Sequence, residues 1–171
     1  MGQEWDFSLV DRVLIAGRVL WFYIGNLLFP FPLIFTYPRW VIDDGVLWQY
    51  LYPLTFLTLL FILWFLRNII GRGPLTGMLL YAGTLLPALG FFNVYPMRFS
   101  FVADHFQYLA CISLIVPFSW GLIKLTDLGK PYVIRGLVSG LLIVFGSLTW
   151  NQSHVYRDAV TLWKDTTKKN P

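Results

Sequence analysis

VLWQYLYPLTFLTLLFILWFL, residues 46–66, has no charged side chain, with Trp48, Tyr50 and Tyr52 toward one end and Trp64 toward the other. About 20 apolar residues, each rising ~1.5 Å in a helix, cross the ~30 Å hydrocarbon core of a bilayer. Aromatic rings with a polar edge settle at the headgroup level on either side. The stretch therefore predicts a membrane-crossing helix. Four further apolar blocks surround it, at about 13–29, 75–92, 106–123 and 133–150. The composition agrees: 57% of residues are hydrophobic and 13% charged, against about 25% charged in a soluble domain. The expected fold is an all-α integral membrane protein. It has about five transmembrane helices in a polytopic bundle over 1–150, and a C-terminal amphipathic helix in a separate segment over 151–171.

Within the blocks, single residues set local expectations. Pro30 and Pro32 stop the first helix by removing backbone donors. Asp11, Arg18 and Gly25 recur every seven residues and share one face, which looks into a bundle or along the interface. Pro87 predicts a kink in the third span. Gly136 and Gly140 have the spacing that lets helix backbones approach in the fifth. Cys111, the single cysteine, leaves no disulfide within the chain and reads as membrane packing.

The formal charge of +4 and pI near 9.3 come from 13 Lys and Arg placed singly between apolar blocks. Nothing there tracks a phosphate backbone, so nucleic acid is not an expected partner. Cations flanking short loops stay on the cytoplasmic side. Arg67 and Arg72 fill one connection, and Lys124, Lys130 and Arg135 surround another, whereas the alternate loops hold Arg39 and Arg98. This predicts the N-terminus inside, with Arg12 and Arg18. The Arg39 and Arg98 loops and the C-terminus lie outside. A multi-pass protein of the bacterial inner membrane, rather than the endoplasmic reticulum, is expected.

Two outside loops collect the candidate functional residues. The first, YPRWVIDDG, offers Tyr37, Arg39, Asp43 and Asp44; adjacent acids supply a general base or a divalent-ion ligand, or simply a solvated turn ending at Gly45. The second, NVYPMRFSFVADHFQY, brings Asn93, Tyr95, Arg98, Asp104, His105, Gln107 and Tyr108 to a span edge. Arg98 offers fixed donors to a phosphate, Asp104 could orient His105, and an aromatic ring could stack on a sugar. An Arg98–Asp104 ion pair that pins the loop is the plainer alternative. The two histidines, His105 and His154, do not make a zinc site, and no cofactor or metal ligand set is identified.

The tail changes character. Val155, Ala159, Leu162, Trp163 and Thr166 form an amphipathic stripe too polar to span a membrane. Asn151-Gln152-Ser153 is a glycosylation sequon placed against the membrane, where it reads as chance.

YRDAVTLWKDTTKKNP, residues 156–171, resembles the second helix of a tetratricopeptide repeat at Tyr156, Ala159, Leu162, Trp163, Asn170 and Pro171. AGRVLWFYIGNLLFP, IFTYPRW and FFNVYPMRFSFVADHFQYLA, in that order, resemble segments of tetratricopeptide-repeat membrane proteins related to the transmembrane O-mannosyltransferases. The resemblance implies a hexosyltransferase of the C-type architecture that takes its sugar from a polyprenyl-phosphate donor in the membrane. Its protein acceptor or partner would be reached through tetratricopeptide repeats. It also implies that this chain is the C-terminal part of such a protein, inactive alone, because family enzymes carry the catalytic acid in an earlier outside loop. No catalytic residue is assigned here. Arg98, Asp104, His105 and Tyr108 are the donor-phosphate or headgroup candidates, with Arg39, Asp43 and Asp44 weaker ones. The alternative is a non-enzymatic membrane anchor that displays repeats for protein binding.

Overall fold

A computed structural model describes residues 7–126 and 131–170; Lys130 and Pro171 lie outside the described residues. The described chain is helical, with α1 (Leu9–Leu28), α2 (Leu51–Leu66), α3 (Gly73–Leu85), α4 (Tyr108–Thr126), α5 (Pro131–Val155) and α6 (Ala159–Lys169). Short 3-10 turns lead into α2 and α4. With those turns included, Leu47–Leu66, Asp104–Lys124 and Pro131–Val155 are each long and apolar enough to cross a membrane. Only 11%, 6% and 0% of their most apolar windows are buried inside the protein. Leu57, Phe61, Val116, Leu142 and Ile143 all point outward, an arrangement water would penalise by about 25 cal/mol per Å² of apolar surface. Lipid is the solvent for these faces, and the chain is an all-α membrane protein.

The first and third apolar blocks behave differently. α1 carries Asp11, Arg12 and Arg18, too many charges for a simple span, yet it lies at the centre of the protein. Leu14, Ile15, Val19 and Tyr23 are almost wholly inaccessible. The helix begins earlier than the apolar block because Ser8 and Asp11 form a reciprocal cap, Ser8 N–H to Asp11 Oδ2 at 2.9 Å and Asp11 N–H to Ser8 Oγ at 3.1 Å. α2 starts against its middle. A Cβ on Gly17 would sit 2.4 Å from the Pro53 nitrogen, so a glycine is needed there.

α3 has 13 residues, about 20 Å of helix. At Pro87, where a kink is expected, the α-helix instead gives way to a 3-10 turn, Leu86–Ala88. The chain then turns at Gly90 with φ +91°, a conformation open to glycine. Pro117 lies inside α4 and releases the carbonyl of Ser113, four residues back. Gly77 of α3 packs there, where a methyl would lie only 2.5 Å from Ser113 O and 2.9 Å from Pro117 Cγ. Close helix approach therefore falls on Gly17 and Gly77. Gly136 and Gly140, whose spacing predicts it, have nothing within 4 Å of where a Cβ would be.

The start of α1 and the loop after α3, expected on opposite faces of the membrane, are joined. Arg12 Nη1 donates to Gly90 O at 2.7 Å and Phe91 O at 3.2 Å, and Nη2 to Asn93 Oδ1 at 2.9 Å. The orientation rule treats a cation as free and solvated; Arg12 is held by carbonyls of the turn that follows α3 and Leu86–Ala88. The same end of the protein carries α6. Phe35 meets Tyr156 and Trp163 edge-on at 6.4 and 5.7 Å, while Lys169 Nζ donates to Leu33 O and Asn170 Nδ2 to Thr36 O. α5 runs on through Asn151–Ser153, so the sequon lies within a helix.

Candidate functional site

The polar residues of the two long loops meet where α4 begins. The 3-10 turn Asp104–Gln107 sets Asp104 at the top of α4. Its Oδ1 accepts the Tyr37 hydroxyl at 2.8 Å, and that hydroxyl accepts from Asn26 Nδ2 at 3.2 Å. Three segments, α1, the 29–46 connection and the start of α4, are thus fastened by one phenol that donates once and accepts once. One turn earlier on α1, the Tyr23 hydroxyl donates to Ala103 O and accepts from Ala103 N–H, both at 3.0 Å. The peptide before Asp104 is clamped.

The surroundings are aromatic. Phe22 packs edge-on against Tyr37 at 4.9 Å and Trp40 at 5.5 Å, and Trp40 lies 6.2 Å from Phe101. Burial, with the nearby Asp104 carboxylate second, holds the Tyr37 phenol protonated well above its ordinary range. Tyr156, between α5 and α6, is raised for the same two reasons, burial first and Asp104 next. Asp104 is thus held by Tyr37 directly and follows the peptide that Tyr23 clamps.

The other candidates divide. Arg98, His105 and Tyr108 are exposed at the same end. The His105 ring stands edge-on to Phe106 at 4.5 Å and does not bond Asp104. Arg98 lies 6.0 Å from the Phe99 ring. Lys169 and Asp165 form an ion pair at 2.7 Å, whereas Asp104 takes Tyr37 rather than Arg98 as its partner. Arg39 reaches inward over Phe101 at 5.2 Å and Phe7 at 5.6 Å. Asp43 and Asp44 stay away from this group. Asp43 Oδ1 accepts Gly45 N–H at 2.9 Å, closing a turn, and Asp44 offers its backbone oxygen to the Tyr50 hydroxyl at 3.0 Å.

No group of three or more His, Cys, Asp or Glu converges among the described residues in a way that could hold a metal. What the site offers instead is a partly buried carboxylate in fixed geometry, beside exposed donors and rings. Asn26, Tyr23 and Tyr156 are the members that sequence reasoning missed. Asn26 and Tyr23 lie in the AGRVLWFYIGNLLFP stretch, which carries a resemblance but singles out neither residue, and the asparagine among apolar neighbours is the one signal that a partner was required. In comparisons with protein families, curated proteins and solved structures, nothing matches this chain.

Proposed function

We propose that this chain is the donor-facing C-terminal portion of a membrane glycosyltransferase that takes its sugar from a polyprenyl phosphate. Asp104 carries the reading: a half-buried carboxylate fastened by Tyr37, at the end of the bundle where Arg98, His105 and Tyr108 are exposed. The ordered likeness of IFTYPRW and of the Arg98–Tyr108 stretch to the O-mannosyltransferase-related proteins supports it.

In such a transfer the acceptor hydroxyl attacks the anomeric carbon as its proton passes to a carboxylate supplied from outside these residues. The bond from sugar carbon to phosphate oxygen breaks, and its electron pair remains on the lipid phosphate. Arg98 contributes a guanidinium to that developing charge. Asp104, already the acceptor of Tyr37, holds the loop in register and is a positioning residue.

The test is binding of a polyprenyl-phosphate mannose to the detergent-solubilised chain. Arg98→Ala should weaken it about tenfold, or ~1.4 kcal/mol, while Asp43→Asn and Asp44→Asn leave it unchanged. Wild-type affinity in Arg98→Ala would remove the donor contact. A second reading, a membrane anchor that presents repeats to a protein partner, is favoured by α6: it is docked by Phe35 on one edge of Trp163 and by Lys169, yet leaves Val160 and the rest of the Trp163 ring exposed. On that reading Arg98→Ala is silent and Trp163→Ala abolishes partner capture.

A further inference from the structure

Arg18 is set apart from the other arginines. Arg12 is bonded to two carbonyls and Asn93, Arg67 donates to Trp64 O, Arg39 and Arg98 have further partners, and Arg72, Arg135 and Arg157 are exposed. Arg18 is half-buried on the central helix. Its guanidinium lies 4.4 Å from the Trp40 ring centroid and 5.8 Å from that of Tyr52. Among the described residues it meets no carboxylate within ion-pair distance and no hydrogen-bond acceptor.

Aromatic faces attract the charge but leave the N–H groups unsatisfied. The Arg18 N–H groups that lack a protein acceptor remain accessible, since no buried side-chain nitrogen or oxygen among the described residues is left without a partner, so they are open to water or to an anion. The flanking rings add donors: the Tyr52 hydroxyl and the Trp40 indole N–H find no acceptor among the described residues, in contrast to Trp21, whose indole donates to Tyr52 O at 3.0 Å. Tyr52 belongs with Trp48 and Tyr50 to the first turns of the span Leu47–Leu66, the level at which interfacial aromatics meet lipid headgroups. The anion abundant at that depth is phosphate, and the planar guanidinium is shaped to take two of its oxygens.

We propose that Arg18, framed by Trp40 and Tyr52, is a seat for a phosphate group at the membrane interface, that of an anionic lipid headgroup. It involves a different residue from Arg98 and stands whether or not the transferase reading does.

Native mass spectrometry of the purified full chain tests it, using phosphatidylglycerol, a phosphate-free glucosyl diacylglycerol, and inorganic phosphate as competitor. The wild type should retain one phosphatidylglycerol with at least a tenfold preference over the glycolipid, and Arg18→Met should lose that preference. Arg67→Met, which removes a cation stacked on Trp64 at the other end of α2, should not. Arg18→Lys, which keeps the charge without the planar fork, should lie about tenfold below wild type and serves if the methionine variant does not fold. Arg18-dependent displacement by inorganic phosphate would assign the seat to phosphate from either source, and no displacement would assign it to the lipid alone. Equal retention of both lipids, or retention unchanged in Arg18→Met and Arg18→Lys, overturns the proposal.

Discussion

Replacing Gly17 with alanine tests how α1 and α2 are held. The added Cβ would lie 2.4 Å from Pro53 N, 2.6 Å from its Cδ and 2.8 Å from its Cα. Non-bonded carbons settle at roughly 3.5–4.0 Å, so the first turn of α2 must retreat by about 1 Å. Pro53 is backbone and ring, with no flexible end to swing aside. Forcing a methyl into a packed site costs about 1–3 kcal/mol. The retreat also stretches the 3.0 Å bond from the Trp21 indole to Tyr52 O, worth about 1 kcal/mol. Alanine returns about 1 kcal/mol in helix propensity, leaving a net loss of about 1–3 kcal/mol. At roughly 2–4 °C per kcal/mol for a chain of this size, the melting midpoint in detergent, followed by tryptophan fluorescence, should fall. Gly25 is the internal control: it is on the same helix with nothing within 4 Å of its Cβ, so Gly25→Ala should hold or raise the midpoint. If Gly17→Ala melts at or above wild type, or the two variants shift together, the close approach of the helices is refuted.

Tyr37→Phe leaves Asp104 without its donor and Asn26 without its acceptor, and should destabilise the protein by about 1–3 kcal/mol in the same melt; a neutral result would show the phenol to be incidental. In a Cys111→Ser background, Ser8→Cys and Tyr95→Cys should react with an impermeant maleimide from one side of the membrane and Ile69→Cys from the other, because Arg12 ties the start of α1 to Asn93; labelling of Ser8→Cys from the same side as Ile69→Cys would contradict this. At α6, bonds from Thr161 N–H and its hydroxyl hold the exposed Asp158 carboxyl below its ordinary range. Its capping contribution is therefore complete above the usual carboxylate pKa and is lost as pH falls through the lowered one. Amide protection of 159–163, corrected for intrinsic exchange, should persist to about pH 4 and drop below it, and Asp158→Ala should abolish that step.

Residues 46–66 can be read as a span because some twenty charge-free positions leave the bilayer as the one compatible solvent, and α4 and α5 follow by the same logic. The role of α1 is hidden for a physical reason. Centrality in a membrane protein does not require greater hydrophobicity, since lipid and protein interior are alike to an apolar side chain. The most buried helix can thus be the one bearing Asp11, Arg12 and Arg18. Its charges are answered locally or at long range: Asp11 by the Ser8 cap, Arg12 by carbonyls 78 and 79 residues away. Tyr37 and Asp104 each stand out as loop residues, but nothing in a linear reading joins positions 67 apart. Gly17 has no glycine four residues away, and Gly77 shares that spacing with Gly73 just as Gly140 does with Gly136, so the spacing does not single out the two positions where the helices meet.

The cation count changes meaning once these bonds are known. Arg12 is held by carbonyl oxygens and Arg18 by aromatic rings, so neither weighs as a solvated charge in the inside-positive rule. Arg67, Arg72, Lys124 and Arg135 still gather around the two connections at the far end of α2 and α4. The rule then continues to put those connections in the cytoplasm, while allowing the start of α1 to share the opposite end with Asn93, Asp104 and α6. Polar groups on α1, in the two long loops and beside α6 are joined by hydrogen bonds and ring contacts into one end of the bundle. The proposed headgroup site needs that collection, and a bundle alternating strictly from the first helix would divide it between two faces.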